Sequence, residues 1–195
     1  MRAPENIAQL NLLDIDYMGL IFHEQSSRFI NGKVPLSSGG ISRIGVFVDK
    51  EPKHILAKAS EYSLDGIQLH GQESPEVCGR LKASGLTVIK AIPVKEELPT
   101  SILPAYEDQC DYFLFDTKGK LPGGNGVRFS WSLLADYNLS TPFFLSGGIC
   151  LEDAQEIANL KHDRLYAVDI NSRFEIRPAL KDINQISKFI STLNS

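Results

Sequence analysis

Ile44-Gly45-Val46-Phe47-Val48 is apolar almost without a break, where a strand with one wet face would alternate polar and apolar residues. Such a run suits a strand covered on both faces, the habit of parallel sheets wrapped by helices. Six further short runs rich in β-branched and aromatic residues read the same way: Tyr17–Phe22, Gly66–His70, Thr87–Ile92, Tyr112–Asp116, Phe143–Leu145 and Leu165–Ile170. Helical stripes lie between them, as in Ile55, Leu56, Ala59 and Tyr62, or Val77, Cys78 and Leu81. Pro52 and Pro75 fall where helices should start, since a first-turn residue needs no N–H. The spacing predicts a final amphipathic helix through Leu180, Ile183, Ile186, Phe189, Ile190 and Leu193, just after Pro178. Arg28 to Ser42 shows no helical stripe, so the helix expected there is short or replaced by loop.

Alternating strands and helices imply right-handed crossovers and a parallel sheet, either open and doubly wound or closed into a barrel. The strands begin every 21 to 31 residues, a regular beat that favours repeated β/α units around a barrel. The chain opens on Arg2-Ala3-Pro4-Glu5-Asn6-Ile7, which reads as a loop and a helix start with no strand before it. An earlier strand on the same beat would begin roughly 4 to 14 residues before Met1. The expectation is therefore one domain over residues 1–195, an α/β TIM-type (β/α)8 barrel with seven of its parallel strands in this chain and the first missing.

The chain has 195 residues, 43% hydrophobic and 23% charged, enough for one substantial core. Its net charge of -4 and its scattered Lys and Arg argue against a nucleic-acid partner. No run of eighteen apolar residues offers a membrane span, and the acidic residues of the opening segment do not suit a targeting peptide, so a cytoplasmic protein is expected. Cys78, Cys110 and Cys150 are far apart and lack a Cys-x-x-Cys pair, which suggests free thiols rather than disulfides or a metal site.

In parallel β/α folds the loops after the strands gather at one end, so polar residues ending strands are the site candidates. Asp116 ends the apolar strand Tyr112-Phe113-Leu114-Phe115, and desolvation there would suit a general acid; a helix cap or a structural ion pair is the plainer alternative. Gly147-Gly148 follows Phe143-Phe144-Leu145-Ser146 and can bring backbone N–H groups to a phosphate, though a Gly-Gly pair is more often a turn. Gly123-Gly124-Asn125-Gly126 supports the phosphate reading, because barrels commonly hold phosphate on adjacent late loops. Asn171 and Ser172 could add donors, with Asp169 facing a sugar hydroxyl; a capped turn is the alternative. Arg28 could hold a carboxylate by a bidentate pair, or stay solvated. Gln68 and His70 end another strand, His70 being either part of the site or a support behind it. Trp131 reads as packing behind the glycine loop.

Val46-Phe47-Val48, Gln68-Leu69-His70-Gly71, Phe113-Leu114-Phe115-Asp116-Thr117, Gly123-Gly124-Asn125-Gly126-Val127-Arg128-Phe129-Ser130-Trp131, Leu145-Ser146-Gly147-Gly148 and Val168-Asp169-Ile170-Asn171-Ser172 together resemble, in order and interval, the motifs of phosphoribosylanthranilate isomerases. The series spans most of the chain. The resemblance implies an eight-stranded β/α barrel that converts N-(5-phosphoribosyl)anthranilate to 1-(2-carboxyphenylamino)-1-deoxyribulose 5-phosphate, an aldose–ketose Amadori rearrangement of tryptophan biosynthesis. It implies no cofactor and no metal, a small phosphoribosyl substrate as the only ligand, and a monomer or homodimer.

By the same resemblance Asp116 is the general acid that protonates the ring oxygen, and Arg28 holds the anthranilate carboxylate. Gln68, His70, Gly124 and Gly126 line the substrate, Gly147, Gly148, Asn171 and Ser172 cradle the phosphate, and Asp169 binds a ribose hydroxyl. The family's general base is a cysteine in a Lys-x-Cys-Gly motif that would end just before Met1. None of Cys78, Cys110 and Cys150 stands at that place, so the chain as given is expected to be weakly active or inactive. Asn171-Ser172-Arg173-Phe174-Glu175 departs from the commoner Ser-Ser-Gly-Val-Glu form. The competing readings are a noncatalytic phosphosugar-binding barrel and another phosphate-binding barrel enzyme such as indole-glycerol-phosphate synthase, whose catalytic lysines and glutamates are not what ends these strands.

Overall fold

A computed structural model describes residues 1–34, 40–117 and 128–194. Seven strands, β1 (Tyr17–Ile21), β2 (Ser42–Phe47), β3 (Gly66–Leu69), β4 (Thr87–Val94), β5 (Tyr112–Thr117), β6 (Phe143–Leu145) and β7 (Leu165–Val168), form one sheet in sequence order. All six neighbouring pairs are parallel. This is the strand order of a β/α barrel, and each of the seven expected runs is a strand. Among the described residues β1 and β7 are not paired with each other and form the two edges. Across the gap between them the Tyr17 and Tyr166 hydroxyls lie 3.1 Å apart.

Side chains alternate across every strand, so one set faces the barrel interior and the other the surrounding helices. The inner set is small: Ile44, Ile89, Ala91, Leu114 and Phe144, with Tyr17, Tyr112 and Ala167 packed against them. The outer set joins a much larger apolar cluster that includes Leu20, Phe47, Ile67, Leu69, Phe113, Phe115 and Phe143, all fully buried. Helices α1 (Pro4–Leu10), α2 (Pro52–Tyr62) and α3 (Pro75–Lys82) cover that face, each starting at a proline. The Ser74 hydroxyl caps α3 by accepting from the Val77 N–H at 3.4 Å. As the sequence suggests, no helix follows β1 among the described residues.

Beyond β6 come a short 3-10 turn and α4 (Ala154–Ala158). After β7 the structure departs from expectation. Leu180 does not open the last helix; it pairs in a two-stranded antiparallel hairpin, β8 (Glu175–Arg177) with β9 (Leu180–Lys181). Helix α5 (Ile183–Leu193) starts only after Asp182, whose carboxylate accepts from the Gln185 N–H at 3.1 Å. The turn residue Ala179 has φ 67°, and its N–H donates to Glu175 at 3.2 Å. No described helix is long and apolar enough to cross a membrane.

Candidate functional site

The inner face of each strand changes character along its length. Tyr112 and Leu114 are apolar and the next inward position is Asp116; Phe144 gives way to Ser146, and Ala167 to Asp169. The ladder carries these three polar residues to one level, with the Ser146 N–H donating to Phe115 O at 2.9 Å and the Asp169 N–H to Leu145 O at 2.8 Å. Their level is the C-terminal mouth, where the strand-end geometry places them.

His70, at the end of β3, brings its Nε2 to 3.3 Å from Asp116 Oδ2. Its Nδ1 lies 3.0 Å from Gln68 Oε1. With Nδ1–H donating to that amide oxygen, Nε2 is left to exchange a proton with the Asp116 carboxyl. Asp116 is less enclosed than its apolar strand suggests, with 28% of its side chain exposed. The carboxyl that burial pushes above its ordinary range is Asp169, an effect reinforced by the Asp116 charge and opposed by Lys181, His70 and the Ser146 hydroxyl, which donates to it at 3.3 Å.

Gly147 and Gly148 carry φ of 99° and 72°, a region that favours glycine. Gly147 also lies against Thr117 on β5: a Cβ there would collide with the Thr117 side chain and sit 2.6 Å from its backbone N. The glycine loop after β6 is thus pressed onto the end of the strand that carries Asp116. Gly124 and Gly126 lie outside the described residues. Just beyond that segment, Arg128 bonds Asp153 and Glu156 at 2.7 and 2.8 Å and stacks on buried Trp131 at 4.4 Å, which agrees with a packing role for the tryptophan.

Arg28 is neither solvated nor open to a ligand with its whole fork. Its Nε donates to Glu175 Oε1 and Oε2 at 3.0 and 2.9 Å, and its Nη2 to Oε2 at 2.7 Å. Glu175 is nearly fully buried; burial raises its carboxyl, but Arg28 and Lys181 outweigh that and hold it below its ordinary range. Lys181 Nζ lies 3.4 Å from Glu175 and donates to the Asn171 backbone and side-chain oxygens at 2.9 and 2.8 Å. Burial lowers the Lys181 ammonium. Asn171 therefore spends its side-chain oxygen on Lys181, and Ser172 follows at the start of a short 3-10 turn.

Glu175 and Lys181 were not among the expected site residues, although Asn171, Glu175 and Lys181 together set the shape of the last loop. The departure at Asn171–Glu175 and the Ala179-Leu180-Lys181 turn were the available signals, masked because Leu180 fits the stripe of the following helix. The three cysteines do not gather at the mouth chemistry. Burial pushes the Cys78 and Cys110 thiols up to about 11 and about 12, and Cys150, also raised to about 11, donates to Asp153 at 3.3 Å. Among the described residues no group of His, Cys, Asp and Glu could hold a metal.

A parallel β/α-barrel sheet thus carries at one mouth a carboxyl and an imidazole in contact and a glycine loop, the equipment expected of a barrel enzyme that moves protons. The family model for N-(5'-phosphoribosyl)anthranilate (PRA) isomerase matches residues 1–192. An N-(5'-phosphoribosyl)anthranilate isomerase of Parabacteroides distasonis is 42% identical over 200 residues, covering 99% of this chain and 90% of the relative. The chain belongs to the N-(5'-phosphoribosyl)anthranilate isomerase family. Phosphoribosyl anthranilate isomerase from Thermotoga maritima superposes with a TM-score of 0.85 at 31% identity, covering 100% of this chain and 95% of that one. A further phosphoribosyl anthranilate isomerase, solved with reduced 1-(o-carboxyphenylamino)-1-deoxyribulose 5-phosphate, gives 0.80 at 29% identity with the same coverage.

Proposed function

We propose that this barrel isomerises N-(5'-phosphoribosyl)anthranilate to 1-(2-carboxyphenylamino)-1-deoxyribulose 5-phosphate, and that Asp116 is its general acid. The observation that carries the reading is the contact of Asp116 with His70 at the same mouth as Asp169 and the glycine loop after β6. Asp116 gives its proton to the furanose ring oxygen as the C1–O bond breaks, and the anilino nitrogen supplies the electron pair that forms the iminium. Removal of the C2 proton then returns electrons to the C1–C2 bond and neutralises the iminium; ketonisation of the enol gives the product. His70, held by Gln68, keeps the Asp116 carboxyl oriented.

Glu175 takes two nitrogens of Arg28, which leaves Nη1 and the second Nη2 proton for the anthranilate carboxylate. Gly147, Gly148 and Ser172 offer backbone amides to the phosphate, joined by Asn171. Asp169 takes a ribose hydroxyl, with Lys181 behind it. The base for C2 is a thiolate on an eighth strand between β7 and β1, which among the described residues are not paired with each other.

Two assays test this. Asp116→Asn lowers single-turnover chemistry by about 10²- to 10⁴-fold while a product analogue still binds with near-unchanged affinity; lost binding with unchanged chemistry refutes the role. A polypeptide carrying a Lys-x-Cys-Gly strand ahead of residue 1 turns over far faster than the 195-residue chain, and equal turnover refutes the assigned base.

A further inference from the structure

A cavity of about 770 Å³ lies on the outer side of β1 and β2, between the segment after Phe29 and helix α2. None of the residues assigned above to the mouth lines it. Arg43, the second residue of β2, faces this side and contributes to the lining. The residue is 4% exposed, and its Nε, Nη1 and Nη2 are all buried with no hydrogen-bond partner. The Asp65 carboxylate accepts from the Arg43 backbone N–H at 2.8 Å and acts on the guanidinium only through space.

A buried guanidinium with none of its five donors satisfied is costly, because it has surrendered water and gained no acceptor. The acids on the rim do not answer it. Glu61 pairs with Lys58 at 2.7 Å and Glu24 with Lys50 at 3.6 Å. The remaining lining is mixed: Phe22, Phe29, Ile30, Val34 and Tyr62 supply apolar and aromatic wall, and Asn31, Lys33, His54, Lys58 and Ser63 the polar part. The volume is in the range of small-molecule sites.

We propose that this cavity binds a small carboxylate with an apolar, ring-sized body, its carboxylate held by the Arg43 fork. One negative charge matches one buried guanidinium, and the planar fork takes a carboxylate through two parallel hydrogen bonds.

Phenylacetate is the probe, with inorganic phosphate and acetate alongside, followed by calorimetry and by the Arg43 Nε–Hε resonance. Phenylacetate binds at one site, shifts that resonance, and outcompetes both small anions. Arg43→Met weakens it by at least about tenfold, the loss expected for a charge-assisted pair. His54→Trp, which fills the cavity from α2 with Arg43 intact, abolishes binding as well, so the conclusion does not hang on one variant folding. No phenylacetate binding overturns the proposal, as does binding that neither variant alters, which would place the probe at Arg28. Tighter binding of phosphate than of phenylacetate overturns the ligand class.

Discussion

Replacing Gly147 by alanine separates two costs that the structure keeps distinct at two glycines. Gly85 has φ 89° with nothing within 4 Å of the place a Cβ would occupy. Gly147 has φ 99°, and there a Cβ meets the Thr117 side chain and comes within 2.6 Å of the Thr117 backbone N. Gly85→Ala thus carries the backbone cost alone, about 1–2 kcal/mol for an L-residue in the left-handed region. Gly147→Ala carries the same cost plus a collision with main chain that cannot rotate away, worth about a further 1–3 kcal/mol by analogy with overpacked cores. For a domain of this size each kcal/mol moves the midpoint by about 2–4 °C, so Gly147→Ala melts clearly below Gly85→Ala. The displaced loop also weakens inhibition by inorganic phosphate, whereas Gly85→Ala leaves it unchanged. Paired calorimetric melts and a phosphate inhibition series decide the matter. Equal melting points for the two variants, with equal phosphate inhibition, would refute both the close approach and the role of the loop.

Glu175→Gln removes a buried charge that faces both Arg28 and Lys181 and destabilises the fold by about 3–5 kcal/mol at pH 7, with a raised KM as Arg28 loses its brace. Because the Glu175 carboxyl is held below its ordinary value, its contribution is fully present above the unfolded pKa near 4.3 and is lost as pH falls through the folded one. The gap between wild type and variant therefore closes in acid; denaturant melts showing a constant gap from pH 7 to pH 3 would contradict this. Asp169→Asn behaves oppositely. Burial raises that carboxyl, so its ionisation opposes folding as pH rises; the variant is the more stable protein above the folded pKa, the advantage fades as pH falls toward the unfolded value of about 3.9, and the variant's kcat/KM is the lower. Replacing Cys78, Cys110 and Cys150 together by alanine leaves kcat/KM within about threefold, because their raised thiols are poor bases at neutral pH; a large loss in steady-state turnover would return one of them to the chemistry.

The strands were legible because burial on both faces leaves a continuous apolar signature, as in Ile44–Val48, and because polar residues then stand out where strands end. Asp116, His70 and Asp169 were found by that contrast, and the mouth does gather them. The last loop was opaque for the same reason. Leu180 is apolar and in phase with Ile183 and Ile186, so periodicity assigned it to a helix, whereas the N–H of Ala179 and the backbone of Lys181 are spent on Glu175 and Asn6. Those bonds join residues up to 175 positions apart, and no local window of sequence contains both partners. Arg28 was visible as a residue but not as a pair, since Glu175 lies 147 positions away.

The division of labour between the two carboxyls follows from what each one faces. Asp116 and Asp169 stand at one level of the ladder, on either side of Ser146, so their side chains share one mouth. Asp116 has a neighbour able to exchange a proton with it, His70, whose other nitrogen is already held by Gln68. Asp169 has a hydroxyl donor, Ser146, and the field of Lys181, partners that orient a carboxyl without passing it a proton. A neighbour able to exchange a proton suits the first carboxyl to the general-acid role proposed for it. The second is suited to a fixed hydrogen bond, in which a raised carboxyl can serve as donor as well as acceptor. If the two roles were exchanged, His70→Asn would spare the chemistry and Ser146→Ala would abolish it; the roles proposed above predict the reverse.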